Sequence, residues 1–277
     1  MLRDWTRREL RRLNLEPKKR LGQNFLVDRR ALRAIVAAAD ISPDDSIIEV
    51  GPGLGALTRE LAASAGCVVS VEVDADMARA LSDSIAALSN VRIVNADILE
   101  CPPESLLDNK GRYKVVGTLP YNIGAAVLRH FFETQHRPQL MVVVMQKEVA
   151  QAIAAPPGRL SLLGVSVQFY GRPRIAGYIP SRSFYPSPKV ESAILRIDVC
   201  DRPHIEVRDE AAFFRVVRAG FAAPRKQIRN SLAQGLGAGV DEVADILKRA
   251  DIDHQRRAST LSLDEWAAVC REIDSRQ

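Results

Sequence analysis

The sequence predicts an α/β fold: a doubly wound, mostly parallel sheet of seven strands, followed by a small all-helical domain. Three observations predict it. Short β-branched runs alternate with longer segments at helical spacing through the first two thirds of the chain. One such run, ending Ile47-Ile48-Glu49-Val50, leads straight into Gly51-Pro52-Gly53-Leu54-Gly55 and then a helical pattern, as at a tight strand-to-helix turn beside a ligand. After Asp198 only helical patterns occur, joined by Gly-rich or polar turns.

The first twenty residues hold eight basic side chains (Arg3, Arg7, Arg8, Arg11, Arg12, Lys18, Lys19, Arg20) against three acidic ones, a difference of +5 that equals the net charge of the whole chain. A basic arm over 1–20 is expected. On charge alone, contact with nucleic acid and a solvated terminus are equally supported. Strands are expected over 46–50, 68–73, 91–94, 114–117, 140–145, 162–169 and 192–197, with helices over 57–65, 77–87 and 125–134 between them. This predicts a first domain over 21–200. Helices over 210–222, 225–233, 240–250 and 263–273 predict a second over 201–277.

Composition excludes several classes. The longest strongly apolar run, 140–145, is too short to span a bilayer, and no apolar stretch with a cleavage site follows the basic start. A cytoplasmic protein without a membrane partner is expected. Cys67, Cys101, Cys200 and Cys270 form no C-x-x-C pair, and the four histidines have no ligand spacing, so neither a metal nor a disulfide framework is expected.

The Gly51–Gly55 loop implies a nucleotide-like ligand, although Gly51, Gly53 and Ala56 also fit the spacing of Rossmann-like dinucleotide-binding proteins. Glu49 would repel a pyrophosphate and suits a cationic sulfonium. Glu72, twenty-one residues after Gly51, ends the next strand and is expected to accept both ribose hydroxyls. Asp97 ends the third and stands where an adenine amine would need an acceptor. As isolated residues, Glu72 and Asp97 would more often be loop-capping carboxylates. Jointly the three favour S-adenosyl-L-methionine.

After the fourth strand comes Thr118-Leu119-Pro120-Tyr121. It is either a plain strand-to-helix turn or a reaction site. In the second case backbone carbonyls grip the hydrogens of an aromatic amine, and Tyr121 stacks on an extruded base. Phe184, in a loop stiffened by Pro180, Pro186 and Pro188, would form a second wall, and Lys189 would touch phosphate. A rigid surface loop is the plainer alternative.

Five ordered motifs then carry a resemblance: Gly22-Gln23-Asn24-Phe25-Leu26, Glu49-Val50-Gly51-Pro52-Gly53, Thr118-Leu119-Pro120-Tyr121, Phe184-x-Pro186-x-Pro188-Lys189-Val190 and Arg229-Asn230-Ser231-Leu232. Together they resemble the rRNA adenine dimethyltransferase family, most closely its small-subunit branch. The resemblance implies a seven-stranded class I methyltransferase domain and dimethylation of N6 on two adjacent adenines in a 3′-terminal hairpin of small-subunit rRNA. It implies cofactor contacts at Asn24, Leu26, Gly51, Gly53, Glu72, Asp97 and Thr118, and a reaction site at Thr118, Leu119, Pro120, Tyr121 and Phe184. RNA contacts are expected at Arg20, Lys189, Arg225, Lys226 and Arg229, in a monomer acting on rRNA within a pre-30S particle. The family motif begins with Asn where this chain has Thr118. Two alternatives therefore stay open: an RNA-binding assembly factor that has lost its chemistry, and a large-subunit rRNA methyltransferase conferring antibiotic resistance.

Overall fold

A computed structural model describes residues 2–107 and 111–275. In chain order the elements are α1 (Leu2–Arg12), β1 (Phe25–Leu26), α2 (Arg29–Ala39), β2 (Ser46–Val50), α3 (Ala56–Ala62), β3 (Cys67–Glu72), α4 (Ala75–Ser84), β4 (Val91–Asn95), α5 (Pro103–Leu106), β5 (Tyr113–Thr118), α6 (Gly124–Phe132) and β6 (Leu140–Gln146). They continue with α7 (Lys147–Ile153), α8 (Leu162–Tyr170), β7 (Gly171–Ile179), β8 (Phe184–Tyr185), β9 (Ser192–Val199), α9 (Glu210–Gly220), α10 (Ile228–Leu236), α11 (Val240–Arg249) and α12 (Leu263–Asp274).

The chain divides into two compact units, Met1–Ala150 with Pro173–Asp201, and Gln151–Arg172 with Arg202–Gln277. The main sheet has seven strands in the order β4-β3-β2-β5-β6-β9-β7. β4, β3, β2, β5 and β6 run parallel, and β9 pairs antiparallel with β6. The chain winds outward from β2 in both directions, so a crevice opens at the carboxyl ends of β2 and β5, where such sheets bind ligands. Strands covered on both faces read as unbroken apolar runs, and every residue of Leu140–Met145 in β6 is buried. Helices start on local caps: Asp28 accepts the Arg30 amide at 2.9 Å, and Ser262 and Glu265 close a reciprocal capping box on α12.

Three expectations are corrected. Residues 162–169 form a helix, not a strand. Alternating Leu163, Val165, Val167 and Phe169 imitate a strand, but α8 is apolar on nearly every side because most of it is buried. Ser161, whose hydroxyl accepts the Gly164 amide at 3.0 Å, marks its start. The seventh strand is instead β7, whose Arg172-Pro173-Arg174 stretch masks an alternation of exposed and partly buried positions. Residues 151–172 belong to the second unit rather than the first.

Nor is 1–20 a separate arm. α1 buries Thr6 and Leu10, and Leu10 clusters with Leu54 and Met77 while Trp5, Phe25 and Tyr185 pack around them. Arg3 donates to the carbonyl of Phe184 at 2.8 Å, and Lys18 pairs with Asp74 at 2.7 Å. The basic residues sit on one face because the other covers apolar surface.

The second unit is helical. Phe169 stacks on Phe213 with ring centroids 4.9 Å apart, and buried Trp266 lies against Phe221 at 5.8 Å. Buried Ser231 donates to the Gly220 carbonyl at 2.5 Å and accepts the Ala223 amide at 2.9 Å, fixing the turn between α9 and α10. That turn carries Arg225 and Lys226, both exposed, so α10 starts three residues later than its apolar spacing predicts.

Candidate active site

The loop after β2 is shaped by glycine. Gly51, Gly53 and Gly55 have φ of 70°, 55° and 79°, values that L side chains rarely adopt. At Gly53 a Cβ would also come within 3.0 Å of the Phe25 ring. The loop therefore brings bare backbone to the cleft at the carboxyl edge of the sheet.

Glu72, at the end of β3, is almost wholly buried. Its two oxygens accept the Gly53 amide at 3.2 Å and the Asp74 amide at 3.0 Å. Burial raises its pKa above the ordinary carboxylate value, opposed by those amides. Each oxygen retains a lone pair for a hydroxyl in the cleft. Asp97 caps a short turn by accepting the Leu99 amide at 2.9 Å, and it too lines the cleft.

Glu49 does not behave as expected. Its side chain is fully buried beneath the loop and takes no part in lining the cleft. One oxygen accepts Ser70 Oγ at 2.6 Å, while Oε1 has no partner within hydrogen-bond distance among the described residues. Burial pushes its carboxyl up to about 7. It is thus a core residue under the loop, and the argument that its charge selects a sulfonium falls away.

The reaction turn follows β5. The Leu119 amide donates to the Val144 carbonyl at 3.0 Å, and the Pro120 carbonyl accepts the Ile123 amide at 3.1 Å. The Tyr121 hydroxyl shares a 2.8 Å hydrogen bond with Ser192 Oγ, tying the turn to the start of β9, and burial raises the pKa of that phenol. A Cβ on Gly51 would stand 3.5 Å from the Thr118 carbonyl oxygen, an ordinary contact, so it is the φ of 70° that calls for glycine there. Phe184, buried in β8, is held by antiparallel pairing of β8 with β1, opposite Leu26. Asn24 donates to the Gly22 carbonyl at 2.9 Å, which steadies the approach to that strand.

One cleft is therefore lined by Asn24, Leu26, Gly51, Gly53, Glu72, Asp97 and Thr118, together with Leu119, Pro120, Tyr121, Phe184 and Arg20. Lys189 lies outside it, exposed on the loop beyond β8. Arg225 and Lys226, with Arg229 on the first turn of α10, stand in the second unit. Sequence reasoning missed Trp5 and Thr6 of α1 and Ile98, which also line the cleft. The apolar spacing of Leu2, Trp5, Leu10 and Leu13 was the available sign that α1 is anchored. No His, Cys, Asp and Glu group suited to a metal occurs among the described residues.

Residues 14–271 match the family model described as ribosomal RNA adenine dimethylase. The chain belongs to that family. Its similar proteins include a ribosomal RNA small subunit methyltransferase A from Dehalococcoides mccartyi, 45% identical over 256 residues, 92% of this chain and 88% of that one. Another of the same name, from Moorella thermoacetica, is 40% identical over 274 residues, 95% of each chain. Among solved structures, the 23S rRNA methyltransferase ErmE is 29% identical with a TM-score of 0.71, covering 91% of this chain and all 100% of that one. A dimethyladenosine transferase from Plasmodium falciparum, 18% identical, has the same fold with a TM-score of 0.77 over 91% and 98% of the two chains. The family confirms the α/β class I methyltransferase fold and S-adenosylmethionine as methyl donor. The cleft's chemistry fits that donor: Gly51 and Gly53 bring bare backbone to its wall, and Glu72 and Asp97 offer carboxylate acceptors there.

Proposed function

We propose that this protein dimethylates N6 of two adjacent adenines near the 3′ end of small-subunit rRNA, acting as a cytoplasmic monomer on an assembling small subunit. One observation carries the proposal: the Thr118-Leu119-Pro120-Tyr121 turn and the glycine loop, which follow adjacent strands, line a single cleft. When bound, S-adenosylmethionine supplies an electrophilic methyl group on a sulfonium. Glu72 holds the ribose hydroxyls and Asp97 the adenine amine, while Gly51, Gly53, Asn24 and Leu26 shape the wall around the rest. Tyr121 and Phe184 clasp the target base, with Tyr121 fixed in place by Ser192. The exocyclic amine is a poor nucleophile until its hydrogens are held. The Leu119 or Pro120 carbonyl takes one, and the Thr118 hydroxyl or a water on it takes the other. Held in this way, the amine would present its lone pair to the methyl group that the donor would supply, and its proton would pass to water. Proximity and alignment carry most of the rate, and no side-chain base is needed.

Arg20, Lys189, Arg225, Lys226 and Arg229 serve as phosphate contacts that position the RNA without reading its sequence. No helix among the described residues is long and apolar enough to cross a membrane. Small-subunit relatives at 36–46% identity, against 29% for the large-subunit enzyme, favour the small subunit as substrate. The test is transfer of labelled methyl from S-adenosylmethionine to undermethylated small ribosomal subunits, followed by nucleoside analysis. Dimethyladenosine is expected. Subunit and cofactor binding without transfer would sink the proposal and favour the assembly-factor alternative.

A further inference from the structure

A second cavity, of about 630 Å3, adjoins the first. It is lined by Arg7, Leu10 and Arg11 of α1, by Glu16 and Lys19 of the segment that follows, and by Tyr185 of β8. Its remaining wall, Gly22-Gln23-Asn24, is shared with the active-site cleft. The volume falls within the range of small-ligand sites. Three cations line it against Glu16 alone, a local excess of two positive charges. Arg11 and Lys19 are exposed and have no carboxylate within ion-pair distance among the described residues. The Arg7 guanidinium sits 5.0 Å from the centre of the Tyr185 ring, a cation–aromatic stack that a flat, electron-rich ring can extend.

Phe184 and Tyr185 are consecutive residues of β8, and successive strand side chains point to opposite faces. Phe184 lines the first cavity and Tyr185 the second. We propose that the second cavity binds the nucleotide adjacent to the target adenine in the same single strand, with its base on Tyr185 and Arg7 and its phosphate on Arg11 and Lys19. Cationic grooves with aromatic platforms are how proteins hold single strands without regard to sequence. The shared wall gives a continuous strand a path from one cavity to the next. This inference rests on the proposed function, since it takes RNA as the substrate.

The test uses the full chain with undermethylated small ribosomal subunits. In Arg11→Ala/Lys19→Ala, KM for subunits is expected to rise about tenfold with the loss falling on KM rather than kcat. The slope of log affinity against log salt should shrink by about 0.7, the contribution of one single-strand phosphate contact. Tyr185→Ala should raise KM five- to tenfold, and Tyr185→Phe should restore it. S-adenosylmethionine affinity within twofold of the unmodified chain reports an intact cleft. If a variant loses that affinity, ultraviolet cross-linking of the unmodified chain decides: the peptide containing Tyr185 should join the nucleotide beside the methylated adenine. Unchanged KM and salt slope in variants that bind cofactor, while the unmodified chain methylates normally, would overturn the inference and leave the proposed function standing. Absence of methyl transfer by the unmodified chain would overturn both. A cross-link to a ribosomal protein, or to adenosine monophosphate supplied alone, would also overturn the inference.

Discussion

Thr118 ends β5 beside the glycine loop, yet it offers a short β-branched hydroxyl where the family motif has an amide. If that hydroxyl holds one amine hydrogen, Thr118→Ala should lower kcat about tenfold, the equivalent of one hydrogen bond near 1.4 kcal/mol, with less change in cofactor affinity. Single-turnover methyl transfer checks this, and an unchanged rate would remove Thr118 from the chemistry. Glu49 makes a different kind of prediction. Its carboxyl, ordinarily near 4.5, is held near 7 by burial. Below the ordinary value the acid is protonated whether folded or unfolded, and no penalty arises. As pH rises toward 7 the unfolded chain gains by ionising, so folding loses about 3 kcal/mol. Glu49→Gln should therefore be most stabilising above neutral pH and lose that gain near pH 4, as denaturant melts at the two extremes would show. The places of Glu72 and Asp97 on the cleft wall were legible because spacing from the loop locates strand ends. The direction in which Glu49 points was not, since β2 is covered on both faces and either side can receive a side chain.

The element scale shows the same limit. β2, β3, β4, β5, β6 and β9 were legible as short apolar runs, whereas α8 was read as a strand and β7 was given no element. α8 has hydrophobic side chains nearly all round, so its period is hidden, and the arginines of β7 obscure an alternation that is otherwise regular. α1 was visible as charge and not as structure, because its value lies in covering Leu54 and Met77, a contact across more than forty residues. Leu10→Asp should therefore expose that cluster and lower stability by about 2–4 kcal/mol in denaturant melts, a loss no solvated arm would show. The glycine loop was read correctly as an element, and its tightness is testable. Gly55 has φ of 79°, and a Cβ there would run into the buried Leu81 side chain. Gly55→Ala should cost about 2 kcal/mol of stability and weaken S-adenosylmethionine binding, measured by calorimetry.

At the scale of the molecule, the second unit carries a group of exposed cations, Arg215 and Arg218 on α9 and Arg225 and Lys226 on the following turn. Arg225→Glu/Lys226→Glu should weaken subunit binding at least tenfold at low salt and much less at high salt, while leaving cofactor affinity intact. Equal weakening at both salt concentrations would indicate a packing defect. The position of β9 has one more consequence. It completes the sheet by pairing along the whole of β6, and its first residue, Ser192, holds Tyr121. During synthesis the ribosome releases β6 some fifty residues before β9, counting from Leu140 to Ser192. Throughout that interval a long apolar strand presents an open edge, the kind of surface on which nascent chains pair with the wrong neighbour. The same delay leaves the tyrosine of the reaction turn without its anchor, so the enzyme matures only when nearly the whole catalytic unit has emerged.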